Sequence, residues 1–487
     1  MDYKRMTLLD LHKAITAKEV APFDLVKHAI ELAKQDKNNA FEYICEKEAF
    51  EKVKALDERK KDNLLYGIPV VIKDNYSTKD IPTTASSKIL EGYVPIFDAE
   101  VVSRLENEGA IVIGKTTMDE LAMGGSGTNG HLGATYNPWD KSHKRMIGGS
   151  SSGSAAAISA GIVPISIGSD TGDSVRKPAS YAGLVGFKPT WGRISRYGLL
   201  PFACSLDHVA YFTRNVFDSA YLLNVLAGRD NKDMSSSFKK VEDYTSRLDD
   251  SLKGKRIAVI KEINDSISDK EVLNAFNKTV EYLRNQGAIV DYVSIDSKIL
   301  KAIYPTYIII SSAEATSNYA NLDGVKFGNM IDGDSYTDLV IKTRTEGISE
   351  YAKRRLVIGS FSLLKDNREE LFVRAQKCRR VIVNSISKVL ERYDAIYNPA
   401  SPSIAPLIKS TQNKIADEYL IADNYLAYAN MGGFPSITLP IGFEKNMPFG
   451  ANLSAKPFDE ALLLNIANQI EKFTGLANII AGDDDGI

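Results

Sequence analysis

Hydrophobic residues in the first part of the chain recur at helical spacing among charged residues, which predicts an N-terminal helical segment over 1–60. From residue 66 to residue 290 the pattern changes to short apolar runs, each followed by a helical pattern. The predicted strands lie at 70–72, 110–113 and 256–260, and the predicted helices at 99–107, 154–160 and 269–286. Strands that alternate with helices are typical of an α/β protein.

One eight-residue pattern, Leu-x-x-x-Gly-Ala-Ile-Val, occurs twice, at 105–112 and at 283–290. In both copies a glycine follows a helical stretch and precedes a β-branched run. This is expected where a helix ends at a glycine in the left-handed backbone conformation and a strand follows. Helices dominate between 304 and 392, and strands return at 395–402 and 436–440. We predict one large α/β domain over 61–475, with a mixed central sheet covered by helices on both faces. The helical segment 1–60 precedes it and an acidic tail, 476–487, follows it.

Composition narrows the class of protein. The chain has 487 residues, of which 44% are hydrophobic and 25% charged, as in soluble globular proteins. Its net charge of −2 argues against nucleic-acid binding through its own charge. The three cysteines lie far apart and predict neither a disulfide framework nor a metal site. The apolar run 155–168 is too short to span a bilayer and the N-terminus lacks a secretory signal, so we expect a cytoplasmic protein.

Residues 109–116 match the letter pattern of a phosphate-binding loop that ends in Lys115 and Thr116. In such a loop the variable positions must wrap a phosphate with their N–H groups. Here those positions are Ala-Ile-Val-Ile, which favour a strand. We therefore interpret the segment as a strand and not as a nucleotide site.

Residues 149–153 match the G-x-S-x-G pattern of the α/β-hydrolase nucleophile, with Ser151 at its centre. That nucleophile follows a buried strand and needs a histidine later in the chain. The preceding residues are polar and basic, and His208 is the only histidine downstream. A Ser-His-Asp triad is therefore disfavoured. A flexible Gly/Ser linker is disfavoured too, because an Ala-rich helical pattern starts at residue 154.

Lys73 directly follows the apolar strand predicted at 70–72 and is a candidate catalytic base in place of histidine. A lysine at a strand end usually extends to solvent. If it is buried without a full counter-charge, its pKa falls and its neutral amine becomes a base near neutral pH. Asp74 points to the opposite face of a continued strand, so it need not neutralise Lys73.

A polar loop containing Ser174 follows the apolar run 162–167. Thr171, Gly172 and Asp173 precede this serine, and their consecutive backbone N–H groups suit an oxyanion hole. A serine becomes a nucleophile only when a base removes its proton. The sequence therefore pairs Ser174 with Lys73 as a candidate site.

Several motifs in order along the chain resemble the amidase signature family, and the resemblance extends over residues 5–475. They lie at 67–75, 148–157, 168–180 and 186–209. In this family a Ser-cisSer-Lys triad replaces the histidine triad. The resemblance implies that Lys73 is the base, that Ser150 is the bridging serine after a cis peptide bond, and that Ser174 is the acyl-forming nucleophile.

Within the family, further segments are most similar to the A subunits of glutamyl-tRNA(Gln)/aspartyl-tRNA(Asn) amidotransferases. They lie at 114–140, 311–328, 351–361 and 423–442. This resemblance implies a glutaminase that delivers ammonia to a partner subunit, which activates the carboxylate of a mischarged tRNA with ATP. It implies B and C subunits as partners and tRNA contact mainly through the B subunit. It implies no cofactor and no metal in this chain, with ATP and magnesium held by the partner.

The same resemblance implies that Tyr307, Arg355 and Asp423 bind glutamine. The residue types suit the substrate, because a guanidinium can bind the α-carboxylate through two hydrogen bonds and an aspartate can bind the α-ammonium group. The sequence does not fix which face of the helix is inward, so Arg354 stays an alternative to Arg355.

Two positions depart from the family pattern, because Ser152 and Asp173 stand where glycine is usual. Aspartate tolerates a positive φ better than most residues. We expect its carboxylate to point to solvent or toward Arg176 or Lys177, and not at the oxyanion. Two other functions stay open: a free-standing amidase with the same triad, and a non-catalytic scaffold subunit whose site Asp173 has weakened.

Overall fold

The computed structural model describes residues 3–267, 269–411 and 421–482, so the predicted acidic tail lies outside the described residues from 483 onward. Eleven strands of the described residues form one sheet. They are β1 (Phe41–Ile44), β2 (Pro69–Lys73), β3 (Ile111–Thr116), β4 (Ile165–Asp170), β5 (Val185–Lys188), β6 (His208–Thr213), β7 (Arg256–Ile260), β8 (Ile289–Val293), β9 (Ala395–Pro399), β10 (Ser436–Glu444) and β11 (Met447–Ala455). Their spatial order is β1-β3-β2-β4-β6-β5-β10-β11-β9-β7-β8.

The sheet is mixed. The strand β2 runs parallel to both β3 and β4, and β7 runs parallel to both β8 and β9. The central strands from β4 to β9 are joined by antiparallel pairs. In the β2–β4 pair Ile72 lies opposite Ile167, so the carboxyl ends of these two strands meet at one edge of the sheet.

The helices pack on the sheet and beyond its edges. They are α1 (Leu8–Thr16), α2 (Pro22–Lys34), α3 (Glu46–Lys54), α4 (Glu100–Asn107), α5 (Ser152–Ser159), α6 (Arg176–Ala182), α7 (Val216–Leu226), α8 (Lys261–Asp265), α9 (Lys270–Asn285), α10 (Ser297–Lys301), α11 (Ile303–Asn318), α12 (Tyr336–Gly347), α13 (Glu350–Leu363), α14 (Arg374–Arg392), α15 (Ile408–Thr411), α16 (Ile421–Asn424), α17 (Tyr428–Gly432) and α18 (Glu460–Thr474). No helix in the described part of the chain is both long and apolar enough to cross a membrane.

Two hydrophobic cores lie on opposite faces of the sheet. One core contains Val71 and the apolar residues of α2, α3 and α5. The other core contains Val70 and Ile72, with apolar residues of α4, α7, α9 and α18. Successive residues of a strand point to opposite faces, so each face of β2 is buried by its own helices. This arrangement confirms the predicted fold class, a mixed sheet with helices on both faces.

Most predicted elements form within a few residues of their expected positions, including β7 at Arg256–Ile260 and α9 at Lys270–Asn285. Both copies of the repeated pattern turn at the glycine, with φ of +93° at Gly109 and +86° at Gly287. The N-terminal segment holds one element that helical spacing did not indicate. Strand β1 is only four residues long, and it is specified by its pairing with the edge of β3 rather than by its own pattern.

Candidate active site

Lys73 ends β2 with a side chain that is 0% exposed. Its Nζ donates hydrogen bonds to Ser150 Oγ at 2.7 Å and to Ser169 Oγ at 2.9 Å. Ser169 belongs to β4, the parallel neighbour of β2, and it also accepts a hydrogen bond from Asn75 Nδ2 at 3.0 Å. The paired strand ends bring Lys73 and Ser169 together, and Ser150 contributes the second hydroxyl from outside these strands.

Burial disfavours the charged form of this amine and lowers the pKa of Lys73 to about 7, although the carboxylates of Asp119, Asp170 and Asp207 oppose the effect. Asp74 gives no direct compensation. It lies on the opposite face of the strand, where its Oδ1 is 3.1 Å from Lys115 Nζ. The neutral form of Lys73 is therefore well populated near neutral pH.

Ser150 lies in the turn that leads into α5, and the peptide bond between Gly149 and Ser150 is cis. Asp119 holds this turn from behind. Its backbone N–H donates to the carbonyl of Ser150 at 3.1 Å, and its carboxylate accepts N–H groups of residues 127, 128 and 129, each at 3.0 Å. A Cβ on Gly149 would lie 2.1 Å from Asp119 Oδ2, so only glycine fits at that position.

Ser174 lies in the loop between β4 and α6, and its side chain is buried. Its carbonyl accepts the backbone N–H of Ser151 at 3.2 Å, which joins this loop to the turn that holds Ser150. The loop is folded around a buried ion pair, because Asp170 Oδ1 is 2.9 Å from Arg176 Nη2. Burial by itself would raise the pKa of Asp170, but the charge of Arg176 outweighs it and holds that pKa well below its usual range.

The carbonyls of the loop fix the direction of its N–H groups. Gly172 C=O accepts Arg176 Nη2 at 2.7 Å, and Asp173 C=O accepts the N–H of Lys177 at 2.8 Å. In a trans peptide the N–H points opposite to the carbonyl. The N–H groups of Asp173 and Ser174 therefore point to the other side of the loop, which suits a developing oxyanion.

Thr171 is the first residue of the loop, and its side chain is held by a hydrogen bond. Its Oγ1 donates a hydrogen bond to Asp207 Oδ1 at 2.7 Å. The other oxygen of Asp207 accepts the N–H groups of Phe202 and Ala203. Burial raises the pKa of Asp207 to about 6, and these hydrogen bonds oppose the shift.

Arg355 is the inward arginine of α13, because its side chain is buried and that of Arg354 is exposed. Its guanidinium donates to Ser312 Oγ at 2.9 Å and to Ser311 Oγ at 2.7 Å, both on α11. It also lies 5.8 Å from the ring centre of Tyr307, one turn earlier on α11.

Tyr307 connects this arginine to the serine loop. A Cβ on Gly172 would lie 2.9 Å from Tyr307 Cζ and 3.2 Å from its hydroxyl, so the ring packs directly on the loop. Burial raises the pKa of Tyr307 well above that of an exposed phenol, and the nearby Arg355 charge only partly opposes the rise. The phenol is therefore a neutral hydroxyl donor throughout the physiological pH range.

Asp423 is connected to the segment that follows Ser174 by contacts with Lys177. Lys177 Nζ donates to the carbonyl of Asp423 at 2.6 Å and lies 3.9 Å from its Oδ1. Asp173 is half-buried, and the charge of Arg176 is directed to Asp170 instead. Among the described residues, no hydrogen bond to the Asp173 carboxylate is formed.

Three residues around the predicted triad of Lys73, Ser150 and Ser174 were not predicted from the sequence. Ser169 and Asn75 position Lys73, and Asp119 positions Ser150. Asn75 follows Lys73 by two residues, so strand alternation was a signal for it. Ser169 and Asp119 carried no such signal, because they reach the site through strand register and loop packing.

The two patterns rejected from the sequence have structural roles. Lys115 lies on β3, where Nζ donates to Tyr76 O at 3.0 Å and to Thr83 Oγ1 at 2.7 Å. Ser151 Oγ donates to the carbonyl of Ser169 at 3.1 Å, and His208 Nδ1 is 2.7 Å from the carbonyl of Leu206. No cluster of three or more His, Cys, Asp or Glu side chains that could hold a metal occurs in the ranges that the structure describes.

Known proteins share both the sequence and the fold of this chain. The profile of the family described as Amidase matches residues 24–464. The chain is 40% identical over 480 residues to the A subunit of glutamyl-tRNA(Gln) amidotransferase of Pediococcus pentosaceus, covering 97% of this chain and 98% of that protein. It is 39% identical over 479 residues to the protein of the same name from Persephonella marina, covering 97% and 98%.

Solved structures agree with the sequence comparison. The A subunit of glutamyl-tRNA(Gln) amidotransferase from Thermotoga maritima superimposes with a TM-score of 0.80 at 36% identity, covering 97% of this chain and 95% of that chain. The native peptide amidase of Stenotrophomonas maltophilia superimposes with a TM-score of 0.80 at 26% identity, covering 99% of each chain. The resemblance predicted from the ordered motifs is confirmed.

Proposed function

Because this chain belongs to the Amidase family, we propose that it hydrolyses the side-chain amide of glutamine as the A subunit of a tRNA-dependent amidotransferase. One observation carries the proposal: the buried Lys73 Nζ lies 2.7 Å from Ser150 Oγ. The turn that contains Ser150 is joined by a backbone hydrogen bond to the loop that contains Ser174. The full-length similarity to amidotransferase A subunits supports the choice of glutamine.

In the proposed reaction, neutral Lys73 accepts the proton of Ser150, which accepts the proton of Ser174. Ser174 Oγ attacks the amide carbon of glutamine, and the N–H groups of the loop from Thr171 to Ser174 stabilise the oxyanion. The C–N bond breaks, the leaving nitrogen takes the proton back through Ser150, and ammonia departs. Water then attacks the acyl group by the same relay and releases glutamate.

The substrate ligands follow from charge. Arg355 is buried and presents a guanidinium that can bind the α-carboxylate through two hydrogen bonds, and Tyr307 adds a neutral hydroxyl between it and the loop. Asp423 offers a carboxylate to the α-ammonium group from the other side. Glutamine thereby lies with its amide over Ser174.

The ammonia is proposed to pass to a partner subunit, which converts Glu-tRNA(Gln), or Asp-tRNA(Asn), to the amide. The B and C subunits are the expected partners, and tRNA contact is made mainly through the B subunit. ATP and magnesium belong to that partner and not to this chain. The relatives that are subunits of such an amidotransferase motivate this assignment.

A second function, that of a free-standing amidase, is favoured by the equally good superposition on a peptide amidase. It uses the same triad and needs no partner. The two functions differ in substrate preference and in dependence on partners. A free-standing amidase should be fully active alone and should not prefer free glutamine.

The decisive experiment traps the acyl-enzyme and locates it by mass spectrometry after incubation with glutamine or a reactive amide analogue. We expect the label on Ser174 and its loss in Ser174→Ala. A label at any other residue would refute the proposed chemistry. Absence of hydrolysis in the wild type and in Asp173→Gly, with co-purified partners present, would instead favour a scaffold subunit.

A matched pair of variants tests the substrate ligand. Arg355→Gln should raise KM for glutamine by about a hundredfold, because a buried charge-assisted contact to the carboxylate is lost. Arg354→Gln, one residue earlier on the exposed face of α13, should leave KM unchanged. Equal effects of both substitutions would contradict the assignment of Arg355.

A further inference from the structure

We propose that Asp173 acts with Asp423 as a second anionic ligand for the α-ammonium group, and so selects amides of α-amino acids over amides without an amino group. This inference rests on the proposed glutamine hydrolysis and concerns how the same site chooses its substrate. It assigns a role to the residue directly before Ser174, a position where the resemblance described above implies glycine.

Asp173 directly precedes Ser174 in the loop that leads into α6. Its carbonyl accepts the N–H of Lys177, four residues later, at 2.8 Å, so the two side chains leave the same face of one helical turn. Lys177 in turn reaches Asp423, with Nζ 3.9 Å from Oδ1. Lys177 and Asp423 both act electrostatically on the Asp173 carboxylate, so these three side chains form one cluster that carries one excess negative charge.

The cations of the loop do not neutralise Asp173. Arg176 is directed to the buried carboxylate of Asp170, with Nη2 2.9 Å from Oδ1. Lys177 donates its hydrogen bond to the carbonyl of Asp423. Within the described residues Asp173 forms no side-chain hydrogen bond, although it is half-buried. A partly desolvated carboxylate in this state favours an additional cationic partner.

The position of Asp173 matches the polarity of an α-amino acid. Tyr307 packs on Gly172, directly before Asp173, and the same ring lies 5.8 Å from the guanidinium of Arg355. Tyr307 thus has both the guanidinium of Arg355 and the carboxylate of Asp173 among its charged neighbours. An α-carboxylate and an α-ammonium group joined through one carbon present the same order of charges.

The protonation state of Asp173 is compatible with this role. Burial raises the pKa of Asp173 to about 6, with the charges of Lys177 and Arg176 opposing the rise and those of Asp170 and Asp423 adding to it. The carboxylate is therefore mostly ionised at pH 7 to 8. An ammonium ligand would lower its pKa further, because opposite charges stabilise each other's ionised forms.

The test compares two substrates that differ only in the amino group, glutamine and 5-amino-5-oxopentanoate. Both carry the same amide and the same carboxylate, so both need Ser174 and Arg355. The protein is assayed with its co-purified partners as wild type, Asp173→Asn and Asp173→Gly. Asp366→Asn is the control, because Asp366 is exposed in the loop after α13.

We expect Asp173→Asn to raise KM for glutamine about tenfold or more, with kcat changed less than about threefold and with KM for 5-amino-5-oxopentanoate unchanged. Asp173→Gly, which carries the residue that the family resemblance implies, should change the ratio of the two KM values, glutamine to 5-amino-5-oxopentanoate, by the same factor. It serves as the second variant if the asparagine variant does not fold. Asp366→Asn should leave both substrates unaffected.

Equal changes in KM for the two substrates would overturn the inference, because a role confined to loop structure would affect both. A rise in kcat for both substrates would also overturn it, since that result places the carboxylate against the oxyanion. If the wild type hydrolyses glutamine and the ratio is unaffected by either substitution, this inference fails and the proposed function stands. If the wild type hydrolyses neither amide, the proposed function fails and the inference with it.

Discussion

The pH dependence of glutamine hydrolysis tests the state of Lys73 directly. Burial lowers the pKa of Lys73 from 10.5 to about 7, a differential of about 5 kcal/mol against the ammonium form. Only the neutral amine can accept the proton of Ser150. We therefore expect kcat/KM, which reports the free enzyme, to rise with pH as the neutral fraction of Lys73 rises, with the ionisation of Asp173 adding to the rise at its acid end.

The magnitude follows from that value. With a pKa of about 7, the neutral fraction is about one tenth at pH 6, about one half at pH 7 and about nine tenths at pH 8. The assay measures glutamate release at sub-saturating glutamine from pH 5.5 to 9. Asp173→Asn should keep the part of the acid limb centred near pH 7, which reports Lys73, and should lose the contribution near pH 6, which reports Asp173 itself.

A second variant tests the cause of the shift. Of the carboxylates that support the charged amine of Lys73, Asp119 has the largest effect. In Asp119→Asn that support is lost, so the pKa of Lys73 falls and the acid limb moves to lower pH. Circular dichroism must show that the variant is folded, because Asp119 also holds the loop 127–129.

Two results would refute this reasoning. A rate that does not change between pH 6 and pH 8 would show that no group with a pKa near 7 controls the relay. An acid limb centred above pH 9 would show that Lys73 keeps the pKa of an exposed lysine and that burial does not make it a base.

Three further perturbations give distinct outcomes. Lys73→Met should abolish hydrolysis and should raise the free energy of unfolding by about 1–3 kcal/mol in urea titrations at pH 7. Because the pKa of Lys73 is lower in the folded than in the unfolded chain, this gain in stability should shrink as the pH rises toward 10. Lys115→Met leaves the buried carboxylate of Asp74 without its ion-pair partner, so it should lower the free energy of unfolding by about 3–5 kcal/mol. A loss under about 1 kcal/mol would contradict the burial of this pair. Gly149→Ala would place a Cβ 2.1 Å from Asp119 Oδ2, so it should lower kcat and reduce the free energy of unfolding by about 1–3 kcal/mol. Gly125→Ala is the control: its Cβ would meet nothing within 4 Å, so thermal unfolding and activity should not change.

The sequence alone indicated the fold class and the segments of Lys73 and Ser174, because these depend on local patterns, whereas Ser150 was indicated by the resemblance to the amidase signature family. Hydrophobic spacing predicted β2, β3, β7 and α9, and strand alternation predicted that Asp74 lies on the face opposite Lys73. Local chemistry also ruled out the phosphate-loop interpretation, since β-branched residues at 111–113 form strand β3.

Only the tertiary structure determined which side chains meet. Adjacent residues on a helix point about 100° apart, so the choice between Arg354 and Arg355 depended on how α13 packs on α11. The register of β2 against β4 brought Ser169 to Lys73 across 96 residues of chain. Such contacts leave no local pattern, because they depend on the relative positions of elements that fold far apart in sequence. The low pKa of Lys73 has the same origin, since the burial that lowers it comes from every element packed around that strand end.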